Sequence, residues 1–291
     1  MSNVSISIVS IDREVLSELD QGAKIHSVFK SVINLETRSG LITCGYALSP
    51  GKHRIVFGAP FPFLENFRTG QDVHATDDAL IIGNRIFKIN RESIHTFRPF
   101  TRLGTLEPFP KRFLRHIEIL VGHRMDTFLD PQTEKILNRF KRFLDHTEHE
   151  NINLLIGAGI GLTPIGDDFL MGYCLAEKAL HGSVTGEARI LSQLENTNMI
   201  SAQQIRDVIA GHWTRFLRRL LEDLLIHHDD TSSRTMLEYG ASSGAAIMYG
   251  LNETLKRRLT YESSQNTEGY LLRFGQSDEP DCETEKRTSH E

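Results

Sequence analysis

Cysteine and long apolar runs are scarce in this chain, and each scarcity excludes something. The cysteines are Cys44, Cys174 and Cys282, odd in number and widely spaced. They form neither a zinc-ligand pattern nor a disulfide framework, so a reducing, cytoplasmic setting is expected. No apolar stretch approaches the roughly 18 residues of a membrane span. The opening "MSNVSISIVSIDREV" lacks the basic start and apolar core of a signal peptide, so no membrane partner is expected. Basic charge is not in excess either: 33 Lys and Arg against 38 Asp and Glu give a net charge of −5. General nucleic-acid binding needs a basic surface, so it too is excluded. No internal repeat is visible.

What the chain has is enough apolar residue to build a core. Hydrophobic residues make up 39% of its 291 positions and charged residues 24%, a globular balance. The length suggests two domains or one large one. Residues 1–105 read mostly as strands. "KIHSVFKSVINLE" is rich in β-branched residues but does not alternate strictly, which predicts a bulge or a strand buried on both faces. "SGLITCGYAL", "KHRIVFGA" and "DALIIGNRIFKIN" follow at short spacing with turn residues between them. An antiparallel sheet or small barrel is expected, preceded by a short helix over Asp12–Leu19 with Asp12 as its cap and Gly22 past its end.

Near residues 98–110 the texture changes, and residues 106–259 read as helical. Phe113, Ile117, Leu120 and Val121 make one apolar stripe. Ile136, Phe140, Phe143 and Leu144 make another, behind the Asp130-Pro131 start signal. A long helix is expected from Ser201 to about Ile226, and a last one ends near Leu259. Residues 260–291 are polar, aperiodic and expected to be disordered. The fold class is α+β.

The segment most suggestive of chemistry is "GAGIGLTPIGDDF", Gly157 to Phe169. Thr163 suits the N-cap of a helix with Pro164 at its first position. Gly157, Gly159 and Gly161 alternate just before it, where glycine permits positive φ and close approach of a ligand to backbone N–H groups. A helix N-terminus adds unpaired N–H groups and partial positive charge, so the segment has the parts of a phosphate or carboxylate cradle. It is not a Walker A loop, because no Lys-Ser/Thr follows the glycines, and the helical segment before it does not fit a dinucleotide fingerprint. Asp167 and Asp168 have two readings. They favour the helix dipole, or one faces the ligand directly or through Mg²⁺. A substrate NH₂ group would offset their repulsion of an anion. Gly172, Ala176 and Ala179 share one helix face and predict close packing by another helix.

Other stretches offer weaker candidates. In "EYGASSGAAIMYG", Gly240 and Gly244 flank Ser242 and Ser243, which either cap a helix or complete a second anion-binding N-terminus. No base is placed to activate either serine as a nucleophile. Asn196, Thr197, Asn198 and Ser201 supply a cap and loop polarity. His212 and Trp213 read as packing residues inside the long helix. Arg215, Arg218 and Arg219 read as a solvated or subunit-facing stripe. His227, His228, Asp229 and Asp230 read as a helix end rather than a metal cluster. His26 is a candidate to reach a site between the domains.

Taken together, "GAGIGLTPIGDDFLMG", "ISAQQIRDVIAGH" and "YGASSGAAIMYGL" resemble the uncharacterised-domain family that includes the AllH-type subunit of oxamate carbamoyltransferase. "HSVFKSVINLETRSGLITC" resembles that family's opening strands, so the likeness spans about residues 24–258. The Gly-Leu-Thr-Pro-x-Gly-Asp-Asp core is intact from Gly161 to Asp168. In the third segment Ala241 stands where relatives carry His and Ala246 where they often carry an acid, so no role passes to those positions.

The resemblance implies a carbamoyltransferase subunit in anaerobic allantoin use. The reaction interconverts oxalurate plus phosphate with oxamate plus carbamoyl phosphate. Two companion subunits are implied as partners, one similar to acyl-CoA synthetases. On this reading Gly157, Gly159, Gly161 and Gly166, with Ser242, Ser243 and Gly244, bind a small anionic substrate. Backbone N–H groups and the Thr163 hydroxyl hold phosphate or the oxyanion, and Asp167 or Asp168 orients the carbamoyl NH₂ or a Mg²⁺ ion. Two alternatives remain open: a non-catalytic anion-binding assembly or regulatory subunit, and a Mg²⁺- and nucleotide-dependent enzyme.

Overall fold

The computed structural model describes residues 6–60, 66–103, 110–146 and 152–265, with side chains as far as 259. The boundary at 105 and the polar tail beyond 265 lie outside the described residues.

The first region is a small barrel. Its strands are β1 (Ser7–Asp12), β2 (Ala23–Val28), β3 (Val32–Glu36), β4 (Leu41–Tyr46), β5 (Arg54–Phe57), β6 (Asp72–Ala75), β7 (Ala79–Ile82), β8 (Arg85–Ile89) and β9 (Ile94–His95). They lie in the order β5-β4-β3-β2-β6-β7-β8-β1, and a β1–β5 pairing closes the ring while β9 continues beside β1. The closed ring encloses Ile8, Ile25, Leu35, Ile42, Ile55, Leu80 and Phe87. The expected single strand at 24–36 is a β2–β3 hairpin, with a register shift between Ile25 and Ser27 where the alternation breaks. Helix α1 (Arg13–Asp20) starts as expected: Asp12 accepts the Glu14 N–H at 2.8 Å.

The α+β architecture matches the sequence reading, with one refinement. The sheet is mixed, because β4–β5, β1–β8 and β1–β9 pair in parallel. A parallel β4–β5 pair forces the chain to travel back along the strand, so residues 47–53 stand away from the barrel. Ala47 turns that corner at φ 58°, a conformation non-glycine residues seldom adopt.

The helices are α2 (Lys111–Asp126), α3 (Pro131–Asp145), α4 (Ile165–His181), α5 (Glu187–Ser192), α6 (Met199–Ala210), α7 (Arg215–Glu222), α8 (Thr231–Leu237) and α9 (Ser243–Gln265). None is long and apolar enough to cross a membrane. Helix α4 is buried along most of its length, and α9 lies parallel against it. The small-residue face expected on α4 makes that contact. A Cβ on Gly172 would run into the Ile247 carbonyl of α9, and one on Gly250 into the Phe169 carbonyl of α4. Glycine on both sides therefore lets the two backbones touch.

Two helix expectations are corrected. The long helix from Ser201 to Ile226 is broken at Gly211, which sits at φ 78° and closes α6 by donating its N–H to Asp207 and Val208 carbonyls. The apolar period runs on through the break, which hid it. The last helix continues past Leu259 to Gln265.

Candidate functional site

Two neighbourhoods gather the polar chemistry. One is the glycine loop, which precedes α4 after a single 3-10 turn at Ile152–Leu154. Gly157, Gly159 and Gly161 all take positive φ, at 73°, 115° and 108°. They do different work. A Cβ on Gly157 would strike the Asn196 carbonyl, and one on Gly159 would lie 2.9 Å from the Ile165 nitrogen. At Gly161 a Cβ would meet nothing within 4 Å, so only this glycine faces open space.

The backbone donors divide the same way. The Gly157 N–H goes to Asp167 Oδ1 at 2.8 Å and the Gly166 N–H to the Ala158 carbonyl at 2.9 Å. These two glycines are therefore occupied by the loop itself, and the expected cradle narrows. The N–H groups of Gly159, Ile160, Gly161, Leu162 and Thr163 bond no described residue. Asn198 Nδ2 holds the loop by donating to the Leu162 carbonyl at 2.9 Å, leaving Ile160 85% exposed at the tip.

Thr163 is not the N-cap. Pro164 occupies that position in an extended conformation, and α4 begins at Ile165. The Thr163 hydroxyl instead lies 2.7 Å from the Ser243 hydroxyl at the start of α9. Because α4 and α9 run parallel, their positive ends meet here. Ser242 accepts the Ala246 N–H through its carbonyl at 3.0 Å, and Gly244 is packed against the Met236 and Tyr239 carbonyls.

The acids separate clearly. Asp167 is buried and its second oxygen accepts the Thr197 hydroxyl at 2.5 Å, so it clamps the loop to the approach of α6. Burial pushes its pKa up against those donors. Asp168 is also buried, but Oδ2 has no hydrogen-bond partner among the described residues. Burial raises its pKa to about 8, only partly offset by the neighbouring Ser243 and Thr163 hydroxyls and reinforced by Asp167. Burial thus favours the protonated over the ionised carboxyl at Asp168, beside two helix N-termini.

The second neighbourhood escaped sequence reasoning. A cavity of about 560 Å³ lies between the barrel loop 47–54 and the helices. Met171, one turn after Asp168 on α4, and Ile247, one turn after Ser243 on α9, both line it. The break at Gly211 moves His212 out of a helix and into this cavity. His53 Nδ1 meets Asp207 Oδ1 at 2.7 Å, and the His53 and His212 rings lie edge to face at 5.4 Å. Burial lowers His53, but the Asp207 hydrogen bond and charge outweigh it and hold its pKa above the ordinary value. Burial and Lys52 lower that of His212. The one available signal was Gly211, a glycine inside a helical pattern with histidine next to it.

The remaining candidates sit elsewhere. Trp213 is buried and stacks on Phe100 at 4.1 Å, as a packing residue should. Arg218 lies over the Phe100 ring and Arg219 pairs with Asp223, while Arg215 and Arg219 line the cavity. Asp230 pairs with His116 and Arg234. His26 contacts Ser27 within the barrel and does not line the cavity. Asn198 caps α6 through the Ile200 and Ser201 N–H groups.

Comparison with known families gives two matches. Oxamate carbamoyltransferase subunit AllH matches residues 155–255, and the AllH family N-terminal domain matches residues 7–95. No curated protein and no solved structure matches significantly.

Proposed function

Because the chain belongs to the AllH family, we propose that it is the subunit of a carbamoyltransferase complex that binds the transferring group. The reaction is the interconversion of oxalurate plus phosphate with oxamate plus carbamoyl phosphate, in the cytoplasm and with companion subunits. One observation carries this reading: two parallel helix N-termini meet at Thr163 and Ser243, over a loop whose N–H groups from Gly159 to Thr163 bond no described residue. Such a junction attracts a small anion, and Asp168, held neutral, does not repel it.

In the phosphate-consuming direction, an oxygen of monohydrogen phosphate attacks the terminal carbamoyl carbon of oxalurate. The new C–O bond forms, the C–N bond to the oxamyl group breaks, and that nitrogen takes a proton as oxamate leaves. The loop N–H groups stabilise the oxyanion that develops on the carbamoyl oxygen. Asp168 gives its Oδ2 proton to the leaving nitrogen and regains one from the attacking phosphate, so charge and protons balance. Asp167 has no free oxygen for this work, since both accept hydrogen bonds. For the same reason Asp167 gives little support to a Mg²⁺ site here, and the nucleotide-dependent alternative predicts a heat with ATP and Mg²⁺ that this reading does not.

The test is Asp168→Asn in the reconstituted complex, assayed with oxalurate and phosphate. Turnover should fall by roughly 10²–10⁴ while the subunits still co-purify. Unchanged turnover would refute the assignment. Loss of the complex itself would favour the assembly role, to which the bare Ile160 at the loop tip would then belong.

A further inference from the structure

We infer that His53, Asp207 and His212 form a binding site for a divalent transition-metal cation, of which Zn²⁺ is the probe, in the cavity between barrel and helices. One ligand atom from each residue lies within 4.8 Å of the other two, and all three residues line the same cavity. They come from two separate parts of the fold, so the site exists only when barrel and helices are assembled.

Several contacts hold that assembly. The loop carrying His53 docks on the start of α7, where the Arg215 N–H donates to the Pro50 carbonyl at 2.9 Å and the Phe216 N–H to Ser49 Oγ at 2.8 Å. On the other side, the Leu41 N–H of β4 donates to Gln203 Oε1 at 3.4 Å, while Gln203 Nε2 donates to Asp207 Oδ1 at 2.8 Å. Gln203 therefore fixes the carboxylate and ties it to the barrel. His212 is fixed by its own backbone, whose N–H donates to the Asp207 carbonyl at 2.7 Å.

A histidine–carboxylate hydrogen bond alone would explain His53 and Asp207. It does not explain His212, whose ring nitrogens bond no described residue although it sits half-buried against His53. Two imidazoles and a carboxylate suit zinc and its neighbours rather than Mg²⁺ or Ca²⁺, which prefer oxygen. Around a shared ion at about 2.0–2.2 Å, tetrahedral ligand atoms stand roughly 3.3 Å apart, so His53 Nδ1 and Asp207 Oδ1, now at 2.7 Å, part slightly to admit the ion while His212 closes inward. The ion would displace the proton between His53 and Asp207. Three protein ligands leave one position for an outside ligand. The cavity wall includes Lys52, Arg54, Arg215 and Arg219, so that ligand is a small anion, through a carboxylate or phosphate oxygen.

The site does not depend on the carbamoyl-transfer reading, and its test reads the metal directly. The full chain, free of any purification tag and stripped with chelator, is titrated with Zn²⁺ by calorimetry and with Co²⁺ by visible absorption. We expect one tight site with the spectrum of tetrahedral cobalt. His212→Ala should weaken binding by about a hundredfold or more and Gln203→Leu by about tenfold, while His227→Ala in the exposed helix end leaves it unchanged. Should His212→Ala fail to fold, His212→Gln gives the same readout at similar size. No tight site in the wild type, or a site that survives the His212 substitution, would overturn the inference.

Discussion

The glycine loop and the cavity beside it are both built at helix ends, yet they are assembled in opposite ways. The loop's donors and the acids Asp167 and Asp168 fall within a dozen residues, while Thr197, Asn198 and Ser243 reach them from farther along the chain. The cavity takes His53 from a barrel loop and Asp207 and His212 from either side of a helix break. A site folded from one segment announces itself as a motif. A site made where two regions meet leaves only ordinary residues in the sequence, each with an adequate structural reason to be there.

This contrast can be broken most forcefully at Asp167. Replacing it with Ala strands the part-buried Gly157 N–H and Thr197 hydroxyl, and the loop loses its tie to α6. We expect a loss of about 2–4 kcal/mol, read by chemical denaturation. The corresponding stroke against the cavity is Gly211→Ala. Alanine is strained at φ 78°, and its Cβ would run into the Phe100 carbonyl. A loss of about 2 kcal/mol is expected, together with weaker Zn²⁺ binding, because His212 moves with the turn. Zinc binding unaltered in a folded Gly211→Ala protein would show that the turn does not position His212.

Asp168 sharpens the comparison through pH. In the folded chain its proton is held up to about 8, whereas in the unfolded chain it leaves near the ordinary 3.8. Between those values the folded state binds more protons, so this group's contribution to stability is whole below about 3.8 and declines as pH rises toward 8. Asp168→Asn should flatten that decline, making the variant's melting temperature less sensitive to pH across the window and relatively higher at its alkaline end. Identical pH profiles for wild type and variant would mean that Asp168 is ionised throughout and the neutral-acid mechanism fails.

The sequence made the α+β order, strands β2–β5 and β7–β8, and the approximate start of α4 legible because turn residues and apolar periods mark them. It did not reveal β1, β6 or β9. β6 (DVHA) carries no apolar run such as those of β5 and β7, and β1 and β9 take their pairing from partners distant in the chain. Thr163-Pro164 read as a cap because the local chemistry fits, but the hydroxyl is drawn to Ser243 by a helix 80 residues away. Gly157 and Gly166 looked like ligand residues for the same reason: spacing shows that glycine is needed, not whether a ligand or the protein's own carbonyl fills the space. His212 was hidden by an apolar period that continues across the turn at Gly211.

The smallest expected change in stability is the most telling of the set, because it separates those two uses of glycine. Gly157 and Gly161 both take positive φ, at 73° and 108°, so alanine at either position incurs backbone strain of roughly 1–3 kcal/mol. At 157 the new methyl must also displace the Asn196 carbonyl, whereas at 161 it enters open space. Gly157→Ala should therefore cost more stability than Gly161→Ala. If the open space is where the anion sits, Gly161→Ala should nevertheless raise the KM for phosphate by roughly tenfold in the reconstituted complex, since its methyl stands among the unpaired N–H groups. A Gly161→Ala complex with unchanged KM would leave the loop a piece of packing, and the anion would have to be sought in the cavity instead.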